Sequence, residues 1–91
     1  MNEKREIVGK GDLAAQTEQV MKNMQTALQA CGATFDDLVK VTIYLVQGQN
    51  LMHGFDVSRR YITSAPTISV LMVSGLANPD YLVEIDAVAF V

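Results

Sequence analysis

Between Asp12 and Gly32 the apolar residues Leu13, Val20, Met21, Met24, Leu28 and Cys31 recur at helical spacing, while Gln16, Glu18, Lys22, Asn23 and Gln25 fill the other side. Asp12 is a good N-cap residue, and Gly32 stands where a left-handed residue ends a helix at least cost. The pattern predicts one amphipathic helix with a core-facing stripe, Met21 and Met24 within it and the Cys31 thiol buried at its end. The period then changes. Thr34-Phe35-Asp36-Asp37 reads as a capping box with Asp in place of Glu, so that Asp36 and Asp37 cap a single turn rather than hold a metal. From Val39 to Val46 the pattern alternates, which places Val39, Val41, Ile43 and Leu45 on one face of a strand and Lys40, Thr42 and Tyr44 on the other. If that second face lines an interface or pocket, Lys40 is a candidate partner for a carboxylate.

Gln47 to Asn50 form a loop, and Asn50 can cap a second helix through about Ile62, with Leu51, Phe55, Ser58, Tyr61 and Ile62 inward. Gly54 weakens that helix by about 1 kcal/mol relative to Ala and so implies close packing or a bend. His53 falls off the inward face and reads as a surface residue. Ser64-Ala65-Pro66 breaks the helix and leads into two strand-like runs, Pro66 to Leu76 and Tyr81 to Val91, around the turn Ala77-Asn78-Pro79-Asp80. Upstream, Ile7-Val8 reads as the tail of a strand closed by Gly9-Lys10-Gly11. The order is a short β, then α–β–α–β–β. It predicts a single-domain α+β sandwich over residues 1–91, with two helices on one face of a small sheet.

About half of the 91 residues are apolar (49%), a high share for so short a chain, and self-association would cover some of that surface. The net charge is −3 with scattered Lys and Arg, which supplies no electrostatic footprint for nucleic acid. One cysteine and one histidine exclude a disulfide within the chain and a His/Cys metal site. Residues 1–7 lack the apolar core of a signal peptide and no stretch reaches the length of a membrane span, so a soluble, cytoplasmic protein is expected. Neither a GxSxG elbow, a P-loop nor a Gly-rich dinucleotide fingerprint is present.

The last strand carries the chemistry. Its alternation turns Val83, Ile85, Ala87, Ala89 and Val91 toward the helices and Leu82, Glu84, Asp86, Val88 and Phe90 the opposite way. Two carboxylates thus stand among apolar neighbours, with Met72 from the preceding strand expected beside them. On a face partly covered by another subunit a charge is costly unless it is paired or reached by water. Glu84 is therefore a candidate general base or ligand-binding group, with a structural ion pair or a solvated rim as the other readings; Asp86 reads as structural.

The run from Gly11-Asp12 through Ala15-Gln16-Thr17, Asn23-Met24, Gly32-Ala33 and Asp37-Leu38-Val39-Lys40-Val41-Thr42-Ile43-Tyr44-Leu45 resembles the Rid family, also called YjgF/YER057c/UK114. The closing segment resembles its signature more specifically, at Pro66, Thr67, Ser69, Leu71, Ser74, Leu76 and Val83-Glu84-Ile85. The resemblance implies a chorismate-mutase-like fold, a cytosolic homotrimer with a small-molecule ligand in clefts between subunits, and no cofactor, metal, nucleic acid or membrane. It also implies cofactor-independent deaminase chemistry, in which reactive enamines and imines such as 2-iminobutanoate and 2-iminopropanoate are hydrolysed to 2-oxo acids and ammonia. Carried over by position, the water-activating glutamate is Glu84, and the arginine that clamps the substrate carboxylate is replaced by Ile68. Phe55 stands where deaminating members often have Asn, and Val70 and Gly75 fall at ligand-lining positions of the motif. The family's first two strands would lie before residue 1. Two readings follow: an imine-hydrolysing enzyme, or a non-catalytic homotrimer that binds a small metabolite or a protein partner at its interfaces. The RNA-cleaving role sometimes attached to the family finds no basic stripe here.

Overall fold

A computed structural model describes residues 9–90. Asp12 caps the first helix, α1 (Leu13–Ala30), by accepting a hydrogen bond from the Ala15 amide at 3.1 Å, and Gly32 ends it at φ +74°. Thr34 and Asp37 form the expected capping box around the single turn Phe35–Asp37: the Thr34 amide donates to Asp37 Oδ2 and the Asp36 amide to Thr34 Oγ1. The chain then runs directly into β1 (Leu38–Val46), crosses through α2 (Leu51–Ser58) to β2 (Thr67–Val73), and returns as β3 (Val83–Ala89).

Among the described residues the sheet has the order β2-β1-β3, with β1 parallel to β2 and antiparallel to β3. The two closing runs therefore do not pair with each other; β1 lies between them. Both helices sit on one face of this mixed sheet, as the α+β reading expects. Leu13, Leu45 and Val83 form the buried core, with Val20, Ile43, Leu82 and Ile85 packed around it, and Met21 and Val41 are sealed completely. The reading of Ile7-Val8 as a strand tail lies outside the described residues; the turn at Gly9–Gly11 is present.

Several sequence expectations give way to tertiary structure. Val39 is half exposed and Leu38 is buried instead, because the register shifts between Leu38 and Lys40: a bulge inserts Val39 as an unpaired residue and changes the phase of the alternation. Gln16 is 6% exposed although it was expected on the polar side. Its carboxamide donates to Gly9 O (3.2 Å) and Asp80 O (2.9 Å) and accepts from the Leu82 amide (2.8 Å), so one polar group ties the entry to α1 to the entry to β3. Cys31 is exposed, since it caps α1 beyond the last residue that the sheet covers. The second helix stops at Ser58: the amides of Arg60 and Tyr61 bond three residues back, to Val57 O and Ser58 O, and the chain tightens into a turn. Leu51, expected inward, is exposed, and Val57 is buried in its stead. Gly54 does pack closely, its α-carbon facing Thr17 and Leu13 of α1.

Candidate functional site

The face of the sheet turned away from the helices is built in rows, because side-by-side residues on neighbouring strands point the same way. One row is Leu71, Tyr44 and Glu84; the next is Ser69, Thr42 and Asp86; the third is Thr67, Lys40 and Val88. Tyr44 and Thr42 are half-buried, while Leu71, Glu84, Asp86 and Val88 are exposed and Phe90 is 81% exposed. Glu84 thus presents an accessible carboxylate, one strand spacing from the Tyr44 ring, on a face whose margins are apolar. Such a group can accept a proton from water or from a substrate N–H, and a phenol beside it can donate or accept a hydrogen bond. Met72 does not belong here: it pairs with the buried Leu45 and faces the helix side, and Leu71 takes the place expected for it. The ion pairs among the described residues join Lys10 to Asp80, Arg59 to Asp56 and Arg60 to Glu18, so Lys40 does not neutralise Glu84 or Asp86.

The other motif positions fall elsewhere. Phe55 and Val70 meet under the helices, where with Leu13, Thr17, Gly54 and Ile43 they line an apolar void of about 20 Å³. That volume is of the order of one water molecule, so within one chain these residues pack the core. Ile68 pairs with Val41 on the helix side of β2 and is 47% exposed. Glu84 and Ile68 therefore lie on opposite faces, on strands separated by β1, and a single chain does not bring them together. Gly75 is exposed in the segment after β2. A wider recess, a groove of about 720 Å³, runs between α1 and the outer edge of β3, lined by Val20, Met24, Leu28 and Cys31 above and by Glu84, Ile85, Asp86 and Ala89 below. The alternation assigned Tyr44 and Glu84 to faces of separate strands; only the register, which periodicity does not carry, makes them neighbours.

Among the described residues no group of three His, Cys, Asp or Glu side chains could hold a metal ion, and no helix is long and apolar enough to cross a membrane. A different polar contact joins the helical layer: Tyr61 donates to Glu18 Oε1 at 2.6 Å, and this bond, with burial and the Glu18 charge, holds the phenol above its ordinary pKa.

Two helices over a mixed sheet, with a carboxylate on the last strand of the opposite face, define a small α+β sandwich of the YjgF type. The chain belongs to the endoribonuclease L-PSP family, whose model matches residues 1–91, and with it to the Rid/YjgF proteins. Its fold is similar to the Rid family protein YyfB of Yersinia pestis, itself of unknown function (34% identity, TM-score 0.86, covering 99% of this chain and 71% of that one). A member of the YjgF/YER057c/UK114 family from Mycobacterium tuberculosis is similar at 33% identity and a TM-score of 0.82, over 93% of this chain and 74% of that one. Among curated proteins, protein DfrA of Myxococcus xanthus is 39% identical over 80 residues, 87% of this chain and 60% of its own length. A RutC family protein of Pyrococcus horikoshii is 34% identical over 85 residues, 93% of this chain and 67% of its own. The chain thus spans about two thirds of the length of such relatives.

Proposed function

We propose that this protein is a homo-oligomeric, cofactor-independent hydrolase of small reactive imines or enamines, with Glu84 as the residue that orients and deprotonates water. The observation that carries the reading is the accessible Glu84 carboxylate, which has no ion pair among the described residues, beside Tyr44 on a face with apolar margins. A water held by Glu84 attacks the imine carbon as the carboxylate takes its proton and the nitrogen gains one from solvent; the carbinolamine nitrogen then takes the proton held by Glu84 and leaves as ammonia, while the hydroxyl closes to the carbonyl and returns its proton to solvent. Covering this face with a second subunit, in a trimer as the family resemblance implies, would enclose the water and strengthen its contact with the carboxylate. Ile68 in place of an arginine clamp removes bidentate recognition of a substrate carboxylate, so an uncharged, more apolar imine is the preferred substrate class. The same substitution favours a second reading, in which the interfacial cleft binds a small apolar metabolite without turning it over.

The test uses enamines generated in situ, one with a carboxylate and one without, and follows the carbonyl product and ammonia. Turnover of the uncharged substrate that Glu84→Gln abolishes supports the hydrolase. Saturable binding with no turnover, unchanged in Glu84→Gln, selects the second reading.

A further inference from the structure

Among the described residues the Tyr44 hydroxyl has no hydrogen-bond partner, and the Glu84 carboxylate has neither a hydrogen bond nor an ion pair. Other hydroxyls are used up within the chain: Tyr61 donates to Glu18 Oε1, Ser58 to Phe55 O and Ser64 to Phe35 O. Tyr44 is half-buried on the middle strand, between Leu71 of β2 and Glu84 of β3, so its ring is packed while its hydroxyl is left over. Leu71 offers that hydroxyl nothing to bond. On the other side the Glu84 β-carbon stands about 5 Å from that of Tyr44, and the longer tyrosine side chain can carry its oxygen past the carboxylate. A small molecule seated on this row would meet an acceptor and a donor together.

We propose that Tyr44 is the catalytic acid opposite Glu84, standing in for solvent at both proton exchanges of the proposed cycle. This rests on the hydrolase reading of the same site and deepens it. As water attacks the imine carbon, Glu84 takes a proton from the water and Tyr44 gives its own to the nitrogen. A water lone pair becomes the new C–O bond, the C=N π pair becomes the new N–H bond, and a neutral carbinolamine forms between a protonated Glu84 and a phenolate. In the collapse the nitrogen takes the proton held by Glu84 and leaves as ammonia with the C–N pair. The hydroxyl closes to the carbonyl and gives its proton to the Tyr44 phenolate, so both groups end as they began. Two other donors share this face. Lys40 lies four residues back along β1, about 13 Å from Tyr44, and stands beside Val88. Thr42 is one row away, beside Asp86, and an aliphatic hydroxyl is a weaker acid than a phenol.

The test compares two substrates made from the same small ketone. An N,N-dimethyl iminium ion is already cationic at nitrogen, so addition of water gives the neutral carbinolamine without an acid. The primary imine, kept unprotonated at mildly alkaline pH, needs one. Both are generated in situ, and the ketone product is followed by stopped flow with spontaneous hydrolysis subtracted. Tyr44→Phe keeps the ring and deletes a hydroxyl that has no partner in the chain, so it does not put the fold at risk. It should lower kcat on the primary imine by about 100-fold, with a loss on the iminium smaller by about tenfold or more. Glu84→Gln should abolish turnover of both, because water needs a base in each. An equal loss on the two substrates in Tyr44→Phe, or no loss on the primary imine, overturns the acid role of Tyr44; if Glu84→Gln is still inactive, the hydrolase reading stands. A parent protein that turns over neither substrate overturns both.

Discussion

Replacing Gln16 with Met keeps the volume of a side chain that is almost fully buried while deleting all three of its hydrogen bonds. The substitution strands the Leu82 amide and the Asp80 carbonyl in a partly buried corner, while the Gly9 carbonyl keeps its bond from the Asp12 amide. At about 1 kcal/mol for each net bond, with a further penalty for an unsatisfied donor, the cost is about 2–4 kcal/mol. With a urea slope of about 1–1.5 kcal/mol per molar for so small a domain, the unfolding midpoint should fall by about 2 M. Gln16→Glu sharpens the test. A carboxylate still accepts from Leu82 but donates to neither carbonyl and sets a charge beside both, so it should destabilise at least as much. Urea unfolding followed by circular dichroism gives the global number, and hydrogen exchange at the Leu82 amide reports the local one. A Gln16→Met midpoint within about 0.5 M of the parent, with unchanged Leu82 exchange, would show that the tether is decorative and that the β3 entry is held by apolar packing alone.

Gly9→Ala should destabilise by more than 1 kcal/mol in the same assay, because φ is +73° and an added methyl would stand 2.5 Å from the Ala15 β-carbon. Gly54→Ala should be neutral or stabilising by up to about 1 kcal/mol, since its new methyl meets Thr17 Oγ1 at 3.4 Å and the helix gains propensity; marked destabilisation would mean that the two helices approach more closely than described. The Tyr61 pKa is raised by its hydrogen bond to Glu18, then by burial, so the folded state favours the protonated phenol. Its contribution is full below the unfolded tyrosine pKa of about 10 and is lost as pH climbs through the higher folded value. Tyr61→Phe should therefore reduce stability at pH 7 and flatten its decline above pH 10, measured by urea unfolding across that range.

The elements that local chemistry controls were legible before the structure. Asp12 and Gly32 bound α1, Thr34 and Asp37 close their capping turn, and the alternation of β3 assigns Glu84 and Asp86 to the face away from the helices, as the register has them. What escaped depends on partners distant in the chain. Gln16 is polar by composition and buried because three backbone groups from two other segments need it; Val39 turns outward because β3 imposes a bulge; Cys31 is exposed because α1 outruns the sheet. The site follows the same division. Glu84 stood out as a carboxylate among apolar neighbours, but its pairing with Tyr44, and the separation of Ile68 onto the opposite face, are properties of register and strand order.

The central position of β1 also governs how the chain folds. Among the described residues both of its partners follow it in sequence, so every rung joins residues far apart along the chain, and such topologies fold slowly relative to those rich in local contacts. During synthesis α1 and the capping turn can form early, while β1 waits with both edges bare until β2 has been made and with one edge bare until β3 follows. The time spent in that state, and not the stability of the finished sheet, is where this protein is most exposed to misassembly, and the charged pair on its last strand makes β3 a poor partner for another copy of itself.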